Sequence, residues 1–272
     1  MINRSLAALG VLALAAGAPV LAGSASASAA SAAGTAHARL VPGGLYQPAA
    51  SGLRQNAATT ANTHGRVTLN YSSNWSGYAV TGSTFTSAKA TWVQNAASCT
   101  SGDGDTDMSP WVGLDGFSSS TVEQTGTSAD CSGSSVDYYA WYEMYPANYV
   151  TINKTVKAGD SFTGTVTHGS GKSYTLTLTD NTQSWTYTVT KSLSADDSSA
   201  EAVMEMAADN LTKWSGTDPF TSFTVNGEAV GSFSSSPYTI YQMEIENGST
   251  LCDTTSALSS NENFTETWDN AC

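Results

Sequence analysis

Short runs of alternating apolar and polar residues recur along this chain, separated by Gly, Asn, Asp and Ser. They are "NWSGYAV", "AKATWVQ", "VDYYAWYEMYP", "SFTGTVTHG", "SYTLTLTD", "SWTYTVTK", "SFTVNG" and "YTIYQMEIE". A period of two sends successive side chains to opposite faces of a strand, and a Tyr, Thr, Val and Trp content suits half-buried strands. The stretch "THGSGKSYTLTLTDNTQSWTYTVT" reads as a meander joined by Gly- or Asn-containing turns. No βαβ alternation and no repeat period appears. The expected fold is all-β, an antiparallel β-sandwich of two large sheets. One stretch is ambiguous. In "SSAEAVMEMAADN" the Ala, Glu and Met content favours helix, whereas alternation of Ala200, Ala202, Met204 and Met206 against Glu201, Val203 and Glu205 favours strand. Either geometry puts Glu201 and Glu205, four apart, on one face.

The pattern begins late. Residues 1–29 read as a secretory signal: Arg4 precedes the apolar "LAALGVLALAAGAPVLAG", and small residues follow. Residues 30–66 are rich in Ala, Ser, Gly and Thr and have little to bury, so they read as a flexible prosegment or linker. The remainder, 67–272, is long enough for one large domain. Charge marks the same boundary. Residues 1–66 contain four arginines and no acid, while all 23 acids and all six lysines come after them. A basic leader before an acidic domain suits a prosegment held electrostatically in an active-site groove. The domain has no arginine and only His168, so nucleic acid and membrane surfaces are poor partners and a monomer is expected. So few bases also mean little self-repulsion at pH 2 to 3, a composition permissive for work in acid.

Four cysteines, Cys99, Cys131, Cys252 and Cys272, lie in the exported part. Their even number in an oxidising compartment suggests two disulfides, with Cys99–Cys131 and Cys252–Cys272 the expected pairs among three possible pairings. The spacing fits no zinc site, and one histidine completes none.

Applied to the central strands, the alternation places Trp111, Gly113 and Asp115 on one side. Val122 and Gln124 share a face while Glu123 turns to the other, and Trp141, Glu143 and Tyr145 share a face. A sheet face carrying Trp, Asp, Gln and Glu is either solvated, as an ordinary outer face or a saccharide platform, or a functional groove, because buried polar groups need partners.

Many chemistries are absent. A Ser-His or Cys-His device needs a histidine, and His168 sits in the predicted turn "THGSGKS". There is no G-x-S-x-G elbow, H-E-x-x-H, Walker or dinucleotide motif, and no Asp-Thr-Gly or Asp-Ser-Gly tripeptide. Carboxylate chemistry remains, either a glycosidase-like pair or one carboxylate assisted by an amide donor.

Five motifs, "SSNWSGYAV", "PWVGLDG", "TVEQTG", "YYAWYEMYP" and "SAEAVMEMA", stand in the order and spacing of the eqolisins, the glutamic peptidases, which this chain resembles from Ser72 through the Glu205 region and more weakly beyond. The resemblance implies a lectin-like β-sandwich of two antiparallel seven-stranded sheets, secretion with a prosegment, and acid endopeptidase activity on protein or peptide substrates without metal or cofactor. It implies a catalytic Gln124 and Glu205. Trp75, Trp111, Asp115, Glu143 and Tyr145 match positions around or behind the groove, with Glu201 a supporting carboxylate. The chain departs from the pattern where Glu123 replaces an apolar residue, Tyr139 an Asp and Met206 an acid, and where the turn before Gln124 is one residue shorter.

The chemistry explains a glutamine on a strand. A Glu carboxylate ionised at about pH 3 to 4 can take a proton from water and return it to the leaving amine. A Gln amide is uncharged at every working pH and offers N–H donors to the oxyanion, a device worth about 3 to 4 kcal/mol. A secreted saccharide-binding sandwich and a glycosidase using Glu143 and Glu205 are the alternatives.

Overall fold

The structure, a computed structural model, describes residues 54–62, 65–207 and 210–272, with side chains described from Val67 onward. The expected signal and most of the expected prosegment lie outside the described residues.

Seventeen strands form in chain order: β1 Arg54–Asn62, β2 Gly65–Ser72, β3 Trp75–Thr81, β4 Ser87–Val93, β5 Asp105–Leu114, β6 Val122–Ser132, β7 Ser135–Tyr145, β8 Val150–Ile152, β9 Ser161–His168, β10 Ser173–Asp180, β11 Trp185–Ser192, β12 Ser199–Glu205, β13 Thr217–Val225, β14 Glu228–Ala229, β15 Thr239–Asn247, β16 Thr250–Thr255 and β17 Phe264–Trp268. Among the described residues there is no α-helix, only a 3₁₀ turn at Val230–Phe233. The all-β expectation holds. Strand β1 falls within the 30–66 stretch read as flexible, and pairs antiparallel with β2.

One sheet runs β1-β2-β15-β3-β12-β5-β6-β7-β8, extended from β15 through β16 and β17. The other runs β11-β10-β9-β4-β13-β14. All these pairs are antiparallel except β2–β15, which is parallel. The ladders are not two separate sheets of equal size. Strand β13 pairs with β17 through Thr217–Phe220 and with β4 from Thr221 onward, joining both into one 17-stranded network.

The main core fills the space between the layers. Tyr78, Val80, Val112, Leu114, Tyr142, Ala200 and Ala202 from the larger sheet meet Trp92, Phe162, Val166, Leu176, Leu178 and Phe223 from the smaller, with Phe220 at the crossover of β13. Apolar residues on alternate positions of these strands supply that core, as a half-buried sheet requires. The outward threonines of β9 and β10 remain only partly buried, and Thr167 is exposed. The ambiguous 199–205 stretch is strand β12, between β3 and β5 and buried at all seven positions. In a central position, ladder pairing and burial on both faces outweigh a helix propensity of a few tenths of a kcal/mol per residue.

Both expected disulfides are formed, Cys99–Cys131 and Cys252–Cys272, with no free cysteine among the described residues.

Candidate active site

The outer face of the larger sheet carries a second apolar cluster: Trp75, Ala79, Trp111, Phe117, Val122, Tyr139, Trp141, Val203 and Met243, with Tyr145, Tyr149 and Tyr241 half-buried at its margin. Register lays this face out in rows. Ala79, Glu201, Gly113, Gln124 and Glu143 align across β3, β12, β5, β6 and β7. The next row is Gly77, Val203, Trp111, Gly126 and Trp141. Beyond it Trp75, Glu205 and Ser109 align. The residues chosen from alternation thus share one face. It is not the solvated face that is one of the two expectations, since Trp75, Trp111, Gln124, Glu143, Glu201 and Glu205 are all 0% exposed.

Glu205 and Gln124 are each held by a neighbour. Trp111 Nε1 donates to Glu205 Oε2 at 2.8 Å, and Asn74 Nδ2 donates to Glu205 Oε1 at 3.4 Å. Gln124 Nε2 donates to Glu143 Oε2 at 2.8 Å. The rings of Trp75 and Trp111 meet edge to face with centroids 4.9 Å apart. Trp141 Nε1 donates to Ser128 Oγ at 2.8 Å, and Ser128 Oγ lies 2.8 Å from Ser109 Oγ beneath Glu205. Two glycines make room for the indoles. A Cβ at Gly126 would fall 2.6 Å from Trp111 Cβ and 2.9 Å from Trp141 Cζ2, and one at Gly113 would fall 2.9 Å from Trp111 Cζ3.

The two glutamates of β12 differ. Both oxygens of Glu205 accept N–H groups, whereas Glu201 has no comparable N–H donor and only the Ser199 hydroxyl nearby to favour its charged form. Burial pushes the Glu201 carboxyl well above the usual range, and the charges of Asp115 and Glu123 add to that. Burial thus favours the neutral form of Glu201, whereas Glu205 is an acceptor of two N–H groups.

Asp115 departs from the expected alternation. Strand β5 ends at Leu114, and Asp115 takes a left-handed backbone with φ 68°. Its carboxylate accepts the N–H groups of Asp197 at 2.7 Å and Ser198 at 2.8 Å, and the hydroxyls of Ser198 at 2.8 Å and Ser119 at 3.2 Å. It fastens the segment that leads into β12 rather than lining the face with Trp111. Glu123, as expected, turns inward, opposite Leu114 and Met144. One oxygen each from Asp115, Glu123 and Asp197 lie within 4.8 Å of one another. Burial raises Glu123 to about 9, with the charges of Asp115 and Asp197 contributing next, so this cluster holds a proton. His168 ends β9 and places Nδ1 2.6 Å from Asp197 Oδ2, with its ring stacked on Tyr174. It serves that cluster and no nucleophile.

Sequence reasoning places Trp141 on this face but does not single out Asn74 or Ser128 for the site. The signal for Asn74 is its place before Trp75 in "SSNW"; the serines carry none.

A model of the peptidase A4 family matches residues 73–268. The chain belongs to this family, the glutamic peptidases. The peptidase is 30% identical over 221 residues to Aspergillopepsin-2 of Aspergillus niger, covering 70% of this chain and 77% of that protein. It resembles scytalido-glutamic peptidase, solved with a transition state analog inhibitor, at a TM-score of 0.61 and 24% identity over 72% of this chain and 98% of the other. A similar match, at a TM-score of 0.57 and 22% identity over 72% and 98% of the two chains, is to SCP-B, an eqolisin solved in complex with the tripeptide Ala-Ile-His. At these identities the structures establish a shared fold.

Proposed function

We propose that this peptidase is a secreted acid endopeptidase in which Glu205 and Gln124 carry the reaction. Glu205 takes a proton from water as the water attacks the peptide carbonyl, and returns it to the leaving amine. Gln124 donates from its amide to the oxyanion, with an N–H that acid cannot alter. Trp111 holds Glu205 and Glu143 holds Gln124, so each reacting group is oriented before substrate arrives. Glu201 stays protonated beside them as a support, and Trp75 with Tyr145 bounds the peptide-binding face. The basic stretch ahead of the domain acts as a prosegment.

The observation that supports this reading best is the pairing of holders. Glu205 is gripped by Trp111 and Gln124 by Glu143, on one face of adjoining strands. The family, and the peptide-bound and inhibitor-bound relatives, support a peptide as substrate.

The deciding experiment is digestion of an unfolded protein from pH 2 to 7 by acid-treated enzyme, with and without pepstatin, beside Glu205→Gln and Gln124→Ala. Cleavage peaking in acid, unaffected by pepstatin and lost in both folded variants is expected. Glycoside hydrolysis that survives Gln124→Ala would support the carboxylate-pair glycosidase instead. Saccharide retention without proteolysis at any pH would return the face to a binding role.

A further inference from the structure

The segment before β3 grips Glu205 from a direction that neither Trp111 nor the Glu–Gln pair accounts for. Ser72, only 2% exposed, accepts the backbone N–H groups of Asn74 at 3.3 Å and Trp75 at 3.1 Å on its Oγ. Its hydroxyl proton then goes to Asn74 Oδ1 at 3.1 Å. That bond decides which end of the Asn74 amide faces β12. With its oxygen occupied by a donor, the amide turns Nδ2 toward Glu205 Oε1, at 3.4 Å. The backbone carbonyl of Asn74 also accepts the N–H of Met206 at 2.9 Å. Asn74 thus holds the side chain of Glu205 and the backbone just after it.

Trp111 binds Oε2 of the Glu205 carboxylate and Asn74 binds Oε1, so donors from two separate elements hold its two oxygens. The last torsion of a glutamate is otherwise broad, and two donors on different oxygens fix it. We propose that Asn74, itself fixed by Ser72, is a positioning residue that sets the plane of the Glu205 carboxylate and so the direction from which water loses its proton. The inference rests on the peptidase reading of Glu205. Among the described residues, other titratable groups on the elements packed here are Glu201 on β12, Tyr241, Glu244 and Glu246 on β15, and Asp105 and Asp107 on β5, the Asp107 carboxylate accepting the Ala207 N–H at 2.9 Å. All of them are unchanged in the variants below.

The test compares Asn74→Ala, Asn74→Asp and Ser72→Ala with the parent enzyme, measuring kcat and KM across pH 2 to 6. Beside these runs a carboxyl-carbon NMR titration of Glu205, assigned by its loss in Glu205→Gln. Asn74→Ala is expected to lower kcat about 10- to 100-fold, the effect of losing one hydrogen bond to a charged group, with KM within about twofold. The Glu205 midpoint should rise by roughly half to one pH unit, because a donor to the ionised form is gone. Ser72→Ala should act in the same direction and less strongly. In Asn74→Asp a protonated carboxyl can still donate, so activity should recover toward the parent at the acid end and fall as the introduced carboxyl ionises.

A folded Asn74→Ala enzyme with parental kcat and an unmoved Glu205 midpoint overturns the proposal. So does a change confined to KM, which would make Asn74 a substrate contact. Should Asn74→Ala not fold, Ser72→Ala and Asn74→Asp decide on the same criteria. If the parent cleaves no peptide, the peptidase reading falls, while the NMR midpoints still settle whether Asn74 holds Glu205.

Discussion

Trp111 Nε1 lies 2.8 Å from Glu205 Oε2, joining an indole of β5 to a carboxylate of β12 on the outer face of the larger sheet. Trp111→Phe keeps most of the ring and removes only the donor. Activity at the acid optimum should drop about 10- to 100-fold with little change in melting temperature. An unchanged kcat would show that Glu205 needs no fixing from β5.

Gln124 stands in the same relation to Glu143. Glu143→Leu leaves the buried Gln124 Nε2 without that 2.8 Å acceptor. The expected cost is about 1 to 3 kcal/mol of stability, read from urea unfolding, together with a fall in kcat larger than any change in KM. Glu143→Gln retains a carbonyl acceptor and should be milder on both measures.

Gly126 sits between two indoles. Gly126→Ala drives a methyl against Trp111 Cβ and the Pro110 carbonyl, each 2.6 Å from the ideal position. Overpacking of this kind costs about 1 to 3 kcal/mol, and displacement of Trp111 should lower activity beyond what the loss of folded protein explains. Differential scanning calorimetry with a kinetic assay on the same sample separates the two.

The buried carboxyls give stability a definite pH dependence. Burial raises Glu123 to about 9 and Asp130 to about 8, and raises Glu201, Asp218, Asp253 and Glu266 well above their ordinary ranges. Near pH 3 these groups are protonated whether the chain is folded or not, and stability is at its full value. Above about pH 4.5 the unfolded chain ionises while the folded one does not, so stability falls as pH rises toward 8 or 9. Melting temperatures from pH 3 to 7 should therefore decline steadily. Glu123→Gln should make the decline shallower. A flat or rising curve would refute this account.

Much of this is legible from a period of two. Alternation groups Trp111 with Gly113, Gln124 with Val122, Glu143 with Trp141 and Glu205 with Glu201 because, in a regular strand, parity is all that determines the face, and the ladders bring those faces together. It fails at Asp115, where a left-handed residue ends β5 and parity loses meaning. At 199–205 local propensity and pattern disagree, and only the neighbours β3 and β5 decide between helix and strand. The Asn74–Glu205 bond spans 131 positions, and no local pattern reports a contact at that separation. The burial of the outer face is equally hidden, because alternation identifies a face without saying what covers it.

The strand β13 leaves one layer at Phe220 and enters the other at Thr221 without a break in the chain. The sandwich is therefore bound like a book along that corner. Its layers can swing apart only by tearing backbone ladders on either side of a single continuous thread. Pulling on the smaller layer loads the larger one directly, and the molecule should rupture under force as one piece.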